Sequence, residues 1–187
     1  MKELAMREEE PDVVRGLYEL AKAGNWSRVL AALVGERELA ASCSRYRRAT
    51  SGWTFLHQAA YSGHEDAARA FIRLGASTTV RAKDGETPEA VAERRGHRDL
   101  SRLLRAAAQT ADSSWEAPAD PALLPSSCAW EGSARRTAAR ELRVAYAGAV
   151  IVIPPGAAYH VDSFERVLVG WHGTYDPPCG MDGEPMV

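Results

Sequence analysis

The sequence has no membrane-length apolar run, no cysteines at paired spacings and no excess of charge of one sign. Each absence narrows what the chain can be. The apolar segment from Ala145 to Ile153 is about half the length of a membrane span and stops at Pro154-Pro155. The three cysteines, Cys43, Cys128 and Cys179, are scattered, which points to reduced thiols in a cytosol-like compartment rather than a disulfide framework. No Cys-x-x-Cys or His-Glu-x-x-His spacing marks a metal site, and no cofactor is implied. With 23 basic against 25 acidic side chains, the net charge of −2 gives no reason to expect nucleic acid or an anionic membrane. The first twelve residues, with Glu8-Glu9-Glu10, form a charged lead without the apolar core of a signal peptide, so the expectation is a cytoplasmic protein.

What is present is a period. Thirty-three residues separate Thr54 from Thr87, and the same interval separates Gly63-His64 from Gly96-His97. A fixed interval in the thirties marks stacked units, each too small to bury its own apolar face. Thr54 and Thr87 suit helix N-caps, and Pro88 follows where a missing N–H costs nothing. Ala59 and Ala60 are small enough for helices to approach closely, while Gly63, Gly75 and Gly96 suit helix ends. A weaker copy lies upstream: Leu17, Ala21 and Gly24 precede Leu56, Ala60 and Gly63 by thirty-nine residues, the same period with about six inserted. Val29, Leu30 and Leu33 give its second helix an apolar stripe.

The run from Ser51 through Thr54-Phe55-Leu56-His57-Gln58-Ala59-Ala60 to Gly63-His64, then Phe71 to Ala76, resembles an ankyrin repeat, and Asp84 to Leu104 resembles a closing copy. The resemblance implies two-helix units at about 13–35, 52–74 and 85–107, with the insertion between Glu36 and Ser51 in a protruding hairpin loop. It implies structural roles for His57, His64 and His97. It also implies that a partner protein lies against the hairpin tips and first helices. The corresponding positions are Thr50, Ser51, Trp53, Tyr61 and Ser62 in the central unit, Lys83, Asp84, Glu86, Arg94 and Arg95 in the last, and Lys22 and Ala23 in the first. Trp53 stands out, because Trp and Tyr are enriched at binding hot spots. The alternative is that the Cys43–Arg48 loop buries it. Arg45, Arg47 and Arg48 in that loop fit either an acidic-ligand clamp or a solvated loop.

The texture changes after the repeats. Residues 108–127 read as an Ala/Ser/Pro linker and 128–187 as a small β-rich domain of no recognised family, so the fold class is α+β. Within it Ser133 to Glu141 has helical propensity. An antiparallel meander follows, with strands near 142–146, 149–153, 159–161 and 166–171 and an inner face of Leu142, Val144, Tyr146, Val150 and Val152. That face and the Leu100, Leu103, Leu104 flank each lack a second layer. The sheet is therefore expected to dock on the closing repeat, with Trp115 or Leu123-Leu124 between them. The alternative is two independent halves.

Two functions compete. The first is an interaction module, or adaptor, that binds another protein and is not an enzyme. The second is a repeat-targeted enzyme or effector with a metal- or thiol-dependent site in the C-terminal region, for which His160, His172, Asp176 and Cys179 are candidates, with Asp162 and Asp182 as further ligands.

Overall fold

The computed structural model describes residues 12–110, 120, 123–170 and 173–177. Three helix pairs occupy its first part: α1 Asp12–Lys22 with α2 Trp26–Leu33, α4 Phe55–Ser62 with α5 Glu65–Arg73, and α6 Pro88–Arg94 with α7 Arg98–Thr110. First helices neighbour first helices and second helices neighbour second helices, giving two layers. α1 buries Val14, Leu17, Tyr18 and Ala21, a stripe at helical spacing. In α4 the six residues from Phe55 to Ala60 are all buried, because a central unit is covered on both sides.

The side-chain chemistry of each junction is explicit. Thr54 and His57 form a reciprocal capping box at the start of α4, and Thr87 caps α6 with Pro88 at its first position. Gly63 ends α4 at φ 69°, ψ 24°. Glycine is required there twice over. The left-handed backbone disfavours a side chain, and a Cβ would lie 2.6 Å from the His97 ring.

The insertion between the first two units is not a protruding loop. It contains a further helix, α3 Arg37–Arg45, which buries Ala40, Cys43 and Ser44. Leu39, Ala40 and Cys43 recur at helical spacing, so the segment has an apolar side of its own to pack. Behind it Tyr46 enters the core, 4.9 Å from Tyr18 and 5.8 Å from Phe55 between ring centroids. Phe55 in turn stacks on Phe71 at 4.9 Å. Polar atoms in this core are matched. Gln58 donates to the Tyr18 hydroxyl at 2.7 Å, and the Trp26 indole donates to Ser62 Oγ at 2.9 Å.

Among the described residues the C-terminal part holds seven short strands in two small sheets. They are β1 Leu123–Leu124, β2 Ser126–Ser127, β3 Ala134–Thr137, β4 Leu142–Tyr146, β5 Ala149–Ile153, β6 Ala158–Val161 and β7 Val167–Leu168. Their order is β1-β4-β5 in one sheet and β2-β7-β6-β3 in the other. The β4–β5, β3–β6 and β6–β7 pairs are antiparallel, while β1 and β2 add parallel pairings to β4 and β7. The whole is α+β.

Two local expectations are corrected. Ala134–Thr137 is a strand paired with β6, not a helix, because cross-strand hydrogen bonding outweighs the helical preference of Ala and Arg. The inner face also differs on β5. The two-residue turn Ala147-Gly148, both at positive φ, pairs Tyr146 with Ala149. Val144 therefore faces Ile151 and Leu142 faces Ile153, and Val150 and Val152 stand exposed on the opposite side.

The two parts meet through the turn between β6 and β7. Phe164 leaves that turn to join the core cluster of the repeats, at 8% exposure. Arg69 of α5 lies 5.8 Å from its ring and Arg166 lies 5.0 Å from it. Asp162 Oδ1 accepts from the Phe164 and Arg166 amides at 2.9 and 3.0 Å, and its Oδ2 accepts from Arg166 Nε at 2.8 Å. Arg166 Nη1 reaches the Ala107 carbonyl of α7 at 3.4 Å, and Arg73 of α5 pairs with Glu165 at 3.3 Å. Phe164 is the wedge, and the leucine pair also lies between the two parts, facing the earlier units and not the closing repeat. Leu123 and Leu124 line, with Leu33, Ala40, Leu74 and Leu142, a crevice of about 310 Å³ between α2, α3, the end of α5 and the strands. Trp115 lies outside the described residues.

Candidate protein-binding surface

The residues singled out in the central and last units are brought together. Trp53 is half-buried along the outer side of α4, stacked on His57 at 5.7 Å and tilted against Tyr61 at 5.8 Å. The Cys43–Arg48 segment does not cover it by a loop. The first half of that segment is the end of α3, and the Arg48 amide donates to the Trp53 carbonyl at 2.8 Å. Tyr61 is 40% exposed, with the Arg95 guanidinium 4.2 Å above its ring.

The hairpin tips of adjacent units are tied together by backbone and carboxylate. The Lys83 amide donates to the Ser51 carbonyl at 2.8 Å, and the Ala82 amide closes its own tip on the Glu86 carbonyl at 2.9 Å. Asp84 accepts from the Glu86 amide at 3.0 Å and from the Trp53 indole at 3.4 Å. The Glu86 amide, first among its contacts, holds the Asp84 carboxyl below the usual range. Glu86 takes Arg94 in a bidentate pair at 2.7 and 2.8 Å. Lys83 Nζ and the Arg47 guanidinium are spent on the carbonyls of Ala49 and Arg81.

Two of the anticipated contact residues have internal work. Ser62 is exposed, but its hydroxyl receives the Trp26 indole and donates to the Gln58 carbonyl at 2.9 Å. Ser51 Oγ accepts from the Trp53 amide at 3.2 Å. Thr50, Lys22 and Ala23 are exposed at the edges of the surface. Sequence reasoning missed Arg81 as a member, and it weighed Arg47 between an acidic-ligand clamp and a solvated loop without placing it at the hairpin tips. Arg81 stands at a hairpin tip without a signature of its own, and Arg47 arrives only because α3 places it there.

His57 links the first helix of the central unit to the next unit's tip. Its Nε2 sits 3.1 Å from the Glu86 carbonyl, which can only accept, so Nε2 carries the proton and Nδ1 accepts from the Thr54 amide at 3.2 Å. Burial, the largest influence, lowers its pKa and keeps the ring neutral. One ring thereby caps its own helix and fixes the next unit's tip. His64 accepts from the Ala67 amide at the start of α5, and His97 packs under Gly63 with Nε2 3.3 Å from the Tyr61 carbonyl.

Of the C-terminal candidates, His160, Asp162 and Asp176 lie within the described residues. Among the described residues no three His, Cys, Asp or Glu side chains are grouped so that they could hold a metal ion. His160 is buried beside Trp130, with Nδ1 unpartnered, and Asp162 is committed to Arg166. Asp176 is exposed, and His172, Cys179 and Asp182 lie outside the described residues.

Two layers of helix pairs, capped by Thr and Pro and joined by hairpin tips, define a repeat stack, and the family model for ankyrin repeats in three copies matches residues 5–113. The chain belongs to the ankyrin-repeat family. Such stacks serve in general as protein-interaction modules. No curated protein matches the chain. Among the described residues no helix is long and apolar enough to cross a membrane.

Proposed function

We propose that this chain is a cytoplasmic adaptor that holds a partner protein against the hairpin tips and first helices of its second and third repeats. One observation carries the reading. The aromatic pair Trp53 and Tyr61 lies on the first-helix layer, whereas the contacts of the C-terminal part with the repeats fall on α2, α3, α5 and α7. The strands back the stack from behind and leave its tips open. Residues 1–12 act as a charged lead, 13–107 as the binding part, 108–127 as the joint and 128–187 as the backing.

The surface suits a partner because it is preorganised. The bonds from His57 to Glu86, from Lys83 to Ser51 and from Glu86 to Arg94 fix the tips before anything binds, so little ordering entropy is lost on association. The test is Trp53→Ala in a quantitative pull-down. Proteins held by the wild-type chain should bind more weakly by about 2 kcal/mol, roughly thirtyfold. A retained set unchanged by Trp53→Ala but lost on Val152→Glu would move the binding surface to the strands and contradict the proposal.

A further inference from the structure

The cations on the hairpin tips are not equally matched. Arg94 is neutralised by Glu86 and Arg48 by Glu19. Arg47, Arg81 and Lys83 are held differently: each donates to a backbone carbonyl, of Arg81, Gly85 and Ala49 respectively. A carbonyl takes a hydrogen bond but offsets no charge. Arg95 lies on the Tyr61 ring, again without a carboxylate. All four are exposed; Asp84, the carboxylate among them, accepts only neutral donors, from Trp53 and the Glu86 amide, so its charge offsets one of the four and a local excess of positive charge remains.

We propose that the partner segment that binds this surface is acidic, with Asp or Glu side chains flanking one aromatic or large aliphatic residue; this rests on the hairpin-tip reading above. The carbonyl contacts hold these exposed cations in place without neutralising them, which leaves their charge for a ligand to meet. Complementary charge sets partner choice and association rate, and the half-buried Trp53 with Tyr61 supplies the apolar seat for the anchor side chain. A short acidic segment fits better than nucleic acid. The chain as a whole carries net charge −2, so the excess of positive charge is local and a long polyanion meets repulsion beyond it.

A displayed library of random short peptides, selected on the intact chain, tests this. Enriched peptides should carry clustered Asp or Glu beside a Phe, Trp, Tyr or Leu. Their affinity should drop about tenfold or more with Arg47→Glu, Lys83→Glu or Arg95→Glu and fall as salt rises, while Arg102→Glu on the outer helix α7 changes little. Circular dichroism melts of the reversed variants check that the fold survives. Enriched peptides that are neutral or basic yet lost on Trp53→Ala would overturn the acidic chemistry and leave the hairpin surface standing. Peptides indifferent to Trp53→Ala and to all the reversals, or no enrichment at all, would overturn both. A thymidine homopolymer that displaces the peptides at equal concentration would assign the surface to nucleic acid and overturn the proposal.

Discussion

The imidazole of His57 does two jobs with two nitrogens: it caps α4 by accepting the Thr54 amide and pins the Glu86 carbonyl of the next unit. Accepting the Thr54 amide needs the neutral ring, because a protonated Nδ1 has no lone pair to offer, whereas Nε2 donates to Glu86 in either state. Burial lowers its pKa below the ordinary 6.5, so between those values the unfolded chain binds the proton more readily than the folded one. The stability this ring contributes is complete above about pH 6.5 and is lost as pH falls through the lowered folded value. Nearby Asp84 and Arg47 act on it in opposite directions and leave burial dominant. Thermal melts should therefore show a loss of stability on acidification that is smaller in His57→Gln, which has no proton to gain. Equal slopes in the two proteins would refute the assignment. The cysteines differ in the same spirit. Burial pushes the Cys43 thiol up to about 12, whereas Cys128 is exposed. Native-state thiol labelling should modify Cys128 promptly and Cys43 only with unfolding. Prompt labelling of Cys43 would show that α3 does not hold it.

At the scale of elements, the glycine after α4 is the most constrained position. Gly63→Ala adds left-handed strain and a methyl against the His97 ring, and should cost about 1–3 kcal/mol in urea unfolding. A loss under about half a kcal/mol would mean that His97 moves aside freely. This glycine was legible in the sequence because it recurs in register with Gly96, as were the Thr caps and Pro88. Their chemistry is local, and the repeat states it twice. α3 was not legible as a helix. Its apolar side is short and falls in an interval that the period marks only as surplus. β3 was misread because its strand state depends on β6, which lies more than twenty residues further on. The parity of β5 was misread because a run of Ala, Val and Ile carries no alternation to reveal its faces, and the hairpin turn decides it. On the binding surface, Trp53, Tyr61 and the Asp84 tip were legible by position in the repeat. Of the carbonyl-held cations, Lys83 was placed by the repeat and Arg47 by its basic loop, whereas Arg81 was not, and the carbonyl contacts themselves are tertiary.

At the scale of the whole molecule, the chain's three phenylalanines converge. Phe55 and Phe71 come from the central unit and Phe164 from the C-terminal part, and all three sit in one core cluster. The Asp162–Arg166 pair holds the turn that delivers Phe164, with side chains 2% and 5% exposed. Removing one partner leaves the other charge buried alone, so Asp162→Ala should cost about 3–5 kcal/mol, far more than any surface pair here. Phe164→Ala empties the wedge and should cost about 3–5 kcal/mol where the cavity does not collapse. We expect the wild-type chain to melt in one transition and Phe164→Ala to melt in two, as the strands separate from the stack. A single transition in both, at the same temperature, would mean that the halves do not depend on this contact.

Which face of the stack meets the partner is tested most directly by photo-crosslinking in cells. A photoreactive phenylalanine is placed at Tyr61, at Ser51, at Arg69 on the second-helix layer and at Val152 on the exposed side of β5. The account predicts a discrete adduct from Tyr61 and Ser51, lost when Trp53→Ala is added, and none from Arg69 or Val152. Adducts from Arg69 or Val152 with none from Tyr61 or Ser51 would contradict it, and would place the partner on the back of the stack or on the strands.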